Sequence, residues 1–202
     1  MKPIGVLAIQ GDFEKHKQML LSLGQEVAEV RTSEQLMQTD ALIIPGGEST
    51  TLIKFFKEFG LDKTIRQYAT SHPLLGTCAG LIVLARTVDS TGDYSLGLID
   101  LEVRRNAYGR QRESFVDQIQ INLNGSSSTF TGVFIRAPKI GQYGKNIRIL
   151  GRHHDDIVMA AAENILVCTF HPELTDDTRI HNYFIKTMLK RQNLPAGVGR
   201  IN

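Results

Sequence analysis

Short apolar runs alternate with helix-period segments through the first eighty residues, and this alternation leaves few folds open. Ile4-Gly-Val-Leu-Ala-Ile9 reads as a buried strand. The helix after it carries Phe13, His16, Leu20 and Leu23 on one face and stops at Gly24. Val27 to Val30 forms a second strand, and Ala41-Leu-Ile-Ile44 a third, ended by Pro45-Gly46-Gly47. Ser49 is placed to cap a helix that turns Leu52, Ile53, Phe56 and Phe59 inward and ends at Gly60. Another helix spans Asp62 to Ala69, before a short strand leading into Cys78. Strands separated by helices of this length need crossovers, and so predict a parallel sheet covered on both faces. Ligands of such sheets bind at the carboxyl ends of the strands. Gly46-Gly47 and Cys78 both fall at such ends.

From about residue 96 the texture changes. Segments 98–104, 115–123, 130–136, 146–151, 157–162 and 165–170 all read as strands, which predicts hairpins and a mixed extension of the sheet. Gly125-Ser-Ser-Ser128 reads as an exposed turn. A last helix opens at Asp176-Asp177, with Ile180, Tyr183, Phe184 and Met188 inward, and residues 194–202 are expected to form a flexible tail. With no internal repeat or low-complexity break, residues 1–202 read as a single domain, long enough to bury a core without disulfide staples.

A net charge of +2 is close to neutral, so nothing suggests a nucleic-acid footprint or a membrane-surface patch. No stretch approaches the roughly 20 apolar residues of a membrane span. The run from Ile4 to Ile9 is too short for the core of a signal peptide. Two cysteines without an export signal predict free thiols in a reducing cytoplasm. They are too few for a zinc site without histidine help, and no Cys-x-x-Cys spacing occurs.

His72-Pro-Leu-Leu-Gly-Thr-Cys-Ala-Gly-Leu81 sets Cys78 between Gly76 and Gly80, with a strand before it and a helix after. A nucleophile on a sharp strand-to-helix turn needs small neighbours, and the helix N-terminus favours thiolate over thiol. The same string also fits an ordinary turn with a small buried cysteine. In Phe170-His171-Pro172-Glu173, an extended backbone would point His171 and Glu173 to one side. A carboxylate there can fix the tautomer of the imidazole, completing a candidate Cys78–His171–Glu173 set for acyl transfer. A solvated strand end is the competing reading. Cys168 faces the other way and is expected to pack. His16 is expected to be a satisfied, partly buried histidine and His181 a surface one. His153-His154-Asp155-Asp156 is read against a metal site, because adjacent residues in a hairpin turn rarely converge on one ion.

Pro45-Gly46-Gly47-Glu48-Ser49 could be only a strand-to-helix turn. As a functional loop it would present backbone amides to an anion, yet it lacks the ending of a nucleotide P-loop. Half an oxyanion hole suits it better, with Gly47 N–H and Ala79 N–H as the two donors. The basic stretch Arg104 to Arg112, and Arg136 in Phe134-Ile-Arg-Ala-Pro138, are either solvated loops or guanidinium forks for a small carboxylate.

Together these pieces resemble class I glutamine amidotransferases. Leu42-Ile-Ile-Pro-Gly-Gly-Glu-Ser-Thr-Thr51, Arg105-Asn-Ala-Tyr-Gly-Arg-Gln111, Phe134-Ile-Arg-Ala-Pro138 and Phe170-His-Pro-Glu-Leu-Thr175 are similar to the PdxT family, the glutaminase subunits of pyridoxal 5′-phosphate synthase. The likeness runs from Ile4 to about Leu189. It implies a single-domain α/β fold, a flavodoxin-like three-layer sandwich with a mixed, mostly parallel central sheet. It implies that Cys78 attacks the side-chain amide of L-glutamine, that His171 handles protons and that Glu173 orients His171. Gly47, Glu48, Ser49, Arg105, Ile135 and Arg136 would bind the glutamine, with no cofactor and no metal. The ammonia would pass to a synthase subunit, a (β/α)8 barrel, in a large cytoplasmic hetero-oligomer, and the isolated chain would be weakly active. Asp12-Phe13-Glu14-Lys15, where many relatives differ, bears on partner matching and not on chemistry. The rival readings are a glutaminase of another pathway, a cysteine hydrolase of the intracellular-protease type, and a silent binding subunit.

Overall fold

The computed structural model describes residues 2–89, 94–105, 107 and 114–189. The expected tail at 194–202 and most of the basic stretch up to Arg112 lie outside the described residues. The first half runs β1 (Ile4–Leu7), α1 (Phe13–Ser22), β2 (Val27–Val30), α2 (Ser33–Met37), β3 (Ala41–Ile44), α3 (Ser49–Glu58), α4 (Leu61–Tyr68), β4 (Leu74–Thr77) and α5 (Ala79–Leu84). The second half runs β5 (Ala85–Val88), β6 (Ile99–Arg104), β7 (Ser114–Leu123), β8 (Ser126–Ile135), β9 (Lys139–Tyr143), β10 (Arg148–His153), β11 (Asp156–Ala162) and β12 (Ile165–Cys168). A 3-10 turn (Pro172–Leu174), α6 (Arg179–Tyr183) and a π-helical segment (Phe184–Leu189) follow.

Nine strands form one sheet in the order β2-β1-β3-β4-β12-β11-β10-β7-β8. The half from β2 to β12 is parallel, and the half from β12 to β8 is antiparallel. β1, β3, β4 and β12 are buried at every position, as strands covered on both faces must be. Side chains alternate between the faces. Leu42 and Ile44 enter one apolar cluster with Phe56, Ile65 and Tyr68, whereas Ala41 and Ile43 enter another with Leu20, Phe170 and Phe184. The result is a three-layer α/β sandwich.

Several sequence expectations need correction. Ser49 is the first residue of α3; Glu48 precedes it as the cap in extended backbone and makes no side-chain capping bond. Ser126 to Ser128 are strand residues. The turn is Asn124-Gly125, both at positive φ (53° and 84°), as a tight hairpin requires. Residues 98–104 extend a different sheet from the one expected: β6 pairs with β5 and β9 in a separate three-stranded sheet. The last helix starts at Arg179, whose N–H is taken by the Asp177 carboxylate at 3.0 Å. Among the described residues, no helix is long and apolar enough to cross a membrane.

Candidate active site

Cys78 follows the carboxyl end of β4 at φ 48°, ψ −104°, backbone that a residue with a Cβ seldom adopts. Its N–H donates to the Cys168 carbonyl at 2.9 Å, and its own carbonyl accepts from Ile82 N–H at 3.3 Å, which fixes the strained residue between β12 and α5. Crowding explains the glycines on either side. A Cβ at Gly80 would overlap the Ile44 carbonyl, and one at Gly76 would lie 2.7 Å from Leu84 Cδ1 and 2.8 Å from the Gly80 backbone. Ala79 is the first residue of α5 and fully buried, so its N–H belongs to the open end of that helix.

His171 follows β12, and its N–H donates to the Val133 carbonyl at 2.9 Å, fastening it to β8. Its Nδ1 is 2.8 Å from Glu173 Oε1. The pairing expected from the sequence is present, but its geometric reason is different. Glu173 stands in the 3-10 turn rather than an extended strand, and that turn swings its carboxylate back to the ring. His171 Nε2 makes no hydrogen bond; the ring and the Cys78 sulfur line the same pocket, close enough for the sulfur to act on the charge of the ring. Burial acts to lower the His171 pKa, but the Cys78 sulfur and the Glu173 carboxylate together outweigh it and raise it to about 10. Glu173 is 3% exposed. Burial acts to raise its pKa, yet the imidazoles of His16 and His171 hold it well below the usual carboxylate range.

A pocket of about 290 Å³ opens over the sulfur, at the small end of ligand sites and suited to an amino acid. Cys78, His171, Gly47, Glu48, Ser49, Arg105, Ile135 and Arg136 all line it, so residues from five separate segments meet at one rim of the sheet. Gly47 takes φ +132°, open to glycine alone, and the Glu48 carbonyl accepts from the Gln10 side chain. Arg105 is aimed by Asp89, which accepts from its backbone N–H at 3.0 Å and from its Nε at 3.1 Å. The Cys78 thiol lies 3.7 Å from the Ile135 carbonyl.

Sequence reasoning missed three contributors. Asp12 lines the pocket with a carboxylate oxygen 4.0 Å from His171 Nδ1; its place just beyond the carboxyl end of β1 was the available signal. His16 is fully buried, 3.3 Å from Glu173 Oε2 and 2.8 Å from His181 Nε2. His181, expected on the surface, is fully buried because α6 lays it against α1. Burial first, then His16, lowers its pKa to about 3. Cys168 is fully buried in the second cluster, its thiol pKa pushed up by burial and the Glu173 charge. His153 and His154 do converge, contrary to expectation. The positive φ of His154 (52°) brings ligand atoms of both rings within 4.8 Å of each other and of Asp117, and Asp117 is already hydrogen-bonded to His153 at 3.0 Å.

The SNO glutamine amidotransferase family matches residues 6–190. This chain belongs to that family. A pyridoxal 5′-phosphate synthase subunit PdxT from Thermosipho africanus is 48% identical to this SNO-family chain, over 93% of the chain and 99% of the relative. The subunit of that name from Fervidobacterium nodosum is 49% identical over 91% and 95%, and that from Shouchella clausii 43% over 96% and 98%. A crystal structure of a glutamine amidotransferase superposes with a TM-score of 0.86 at 42% identity, covering 95% of this chain and 99% of that one. PurLQS from Thermotoga maritima, at 14% identity and a TM-score of 0.66 over 92% and 98%, shares the fold alone with the SNO-family chain.

Proposed function

We propose that this chain is the glutaminase subunit of a pyridoxal 5′-phosphate synthase. It hydrolyses L-glutamine to L-glutamate and ammonia and hands the ammonia to a synthase subunit. The observation that carries this reading is the imidazole of His171, held at Nδ1 by Glu173 with Nε2 unpaired, sharing a pocket of amino-acid size with the Cys78 sulfur. The relatives named as PdxT supply the pathway.

The chemistry balances without a cofactor. The Cys78 sulfur, as thiolate, adds to the side-chain amide carbon, and charge develops on the amide oxygen. Gly47 and Ala79 N–H receive that charge, and each such donor is worth roughly 2.7–4 kcal/mol in the transition state. A His171 pKa near 10 keeps the ring protonated at neutral pH, so Nε2–H protonates the departing ammonia as the thioester forms. The neutral imidazole then takes a proton from the water that attacks the thioester. Glutamate leaves, and the sulfur and imidazolium are restored. Arg105 and Arg136 suit the α-carboxylate of the substrate, with Glu48, Ser49 and Ile135 around it.

Free ammonia protonates in bulk water and loses its nucleophilicity, so the reading includes a docked synthase, a (β/α)8 barrel, in a large cytoplasmic hetero-oligomer. Docking completes the Gly47 donor geometry and raises the rate. The test is a glutamine-derived diazoketone with ammonia release measured in parallel, with and without synthase. One adduct at Cys78 that glutamine blocks, no ammonia from Cys78→Ala and a faster rate with synthase are expected. No adduct and no ammonia even with synthase would leave a binding subunit, and equal rates would end the coupling.

A further inference from the structure

We propose that His16 is a positioning residue for this site, holding the second oxygen of Glu173 and, through it, the tautomer of His171. The inference rests on the glutaminase reading above, but its starting point is a gap in the hydrogen bonding. Glu173 is buried, and only its Oε1 is satisfied, by His171. Oε2 has no hydrogen-bond partner of good geometry. A buried carboxylate oxygen left bare is destabilising and leaves the carboxylate free to rotate about its last bond. His16 Nε2, itself fully buried, stands 3.3 Å from it.

The protons can be placed by elimination. His16 Nε2 stands between Glu173 Oε2 at 3.3 Å, which can only accept, and the Thr77 hydroxyl at 3.2 Å, which can accept or donate, so it serves both only as a donor. His16 Nδ1 is 2.8 Å from His181 Nε2, and one of the two carries the hydrogen between them. His181 Nδ1 is buried without a partner. If His16 supplied that hydrogen, a neutral His181 would carry its own on Nδ1, as a buried N–H facing nothing. The arrangement without an orphaned donor has His181 Nε2–H giving to His16 Nδ1, and His16 Nε2–H giving to Glu173 and Thr77. Glu173 Oε1 then accepts from His171 Nδ1–H, which leaves His171 Nε2 as the nitrogen that exchanges protons with the Cys78 sulfur and the departing ammonia. Three imidazoles and one carboxylate thus form a single directed chain, drawn from α6, α1, the residue after β12 and the 3-10 turn, and it ends at the nucleophile.

Gln at position 16 keeps an N–H near the place of Nε2, and Leu removes it. In the complex with synthase, His16→Leu lowers kcat for glutamine hydrolysis by about 10-fold or more, as loss of an outer partner of an oriented histidine does, while KM moves by less than about 3-fold. His16→Gln recovers most of the loss. The downfield proton resonance of the His171–Glu173 bond, read on the chain without substrate, weakens in His16→Leu and returns in His16→Gln. Thr77→Val removes the competing acceptor and leaves both the rate and the resonance near the parent. The proposal is overturned if His16→Leu keeps kcat within about 3-fold, if Thr77→Val reproduces its loss, or if Gln and Leu are equally impaired with the resonance intact. A parent protein with no glutaminase activity but with the resonance responding as described would sink the functional reading and leave the positioning role standing.

Discussion

A methyl group at position 46 would overlap His171 Cε1 and lie 3.0 Å from its Nδ1, so the backbone of the glycine loop sits directly against the imidazole. The ring cannot retreat without stretching its 2.8 Å bond to Glu173. Gly46→Ala is therefore expected to cut kcat/KM by about 100-fold, the scale of a 1 Å misplacement at a reacting group. Urea unfolding followed alongside ammonia release separates displacement of the ring from loss of fold. The same histidine also predicts an alkaline limit. Its folded pKa, about 10, lies above the unfolded value of 6.5, so the folded chain holds the proton longer. That contribution to stability is fully present below pH 6.5 and is lost as pH rises toward 10. Unfolding midpoints measured from pH 6.5 to 10 should fall, and the fall should flatten in His171→Gln. Residues that carry their chemistry in local strings, Cys78 between glycines and His171 two before Glu173, were legible in the sequence. His16 and His181 were not, because their meaning lies in a contact across 165 positions that no local pattern records.

At the scale of elements, the parallel half of the sheet was legible because its strands are short and mostly apolar, and β3 stops at Pro45-Gly46-Gly47. α2 was missed although its start is written plainly. Thr32 accepts from Gln35 N–H, and the Gln35 side chain accepts from the backbone of Thr32 in return, a complete capping box over a helix of only five residues. So short a helix has no apolar period to notice. Thr32→Ala should cost about 1 kcal/mol of stability, read from the shift of the urea midpoint, with glutamine hydrolysis unchanged because α2 does not reach the pocket. β5 was hidden for another reason. Its burial runs inside, outside, outside, inside, with no alternation to read, and it starts directly after α5 without a turn residue. β9 is only half buried, an edge of the smaller sheet.

Across the whole molecule, buried ionisable groups tie the site to global stability. His181 on α6, His16 on α1, Thr77 at the end of β4 and Glu173 in the 3-10 turn meet where α6 packs against α1. The unfolded chain takes up a proton at His181 near pH 6.5, whereas the folded chain resists until about pH 3. Stability is therefore lost progressively as pH falls from 6.5 toward 3. Glu173 acts with the same sign at lower pH, since its folded pKa lies below the usual 4.5 and its protonation favours the unfolded chain. His171 is protonated in both states below pH 6.5 and adds no slope there. Stability should thus peak near pH 6.5, with His171 setting the alkaline side and His181, then Glu173, the acid side. The discriminating measurement is the urea midpoint of the parent and of His181→Gln between pH 7 and 4. Glutamine cannot titrate and still offers an N–H to His16, so the variant should show a visibly shallower decline. Identical slopes would mean that the acid side is set by exposed carboxylates and that the buried histidine pair has no part in it.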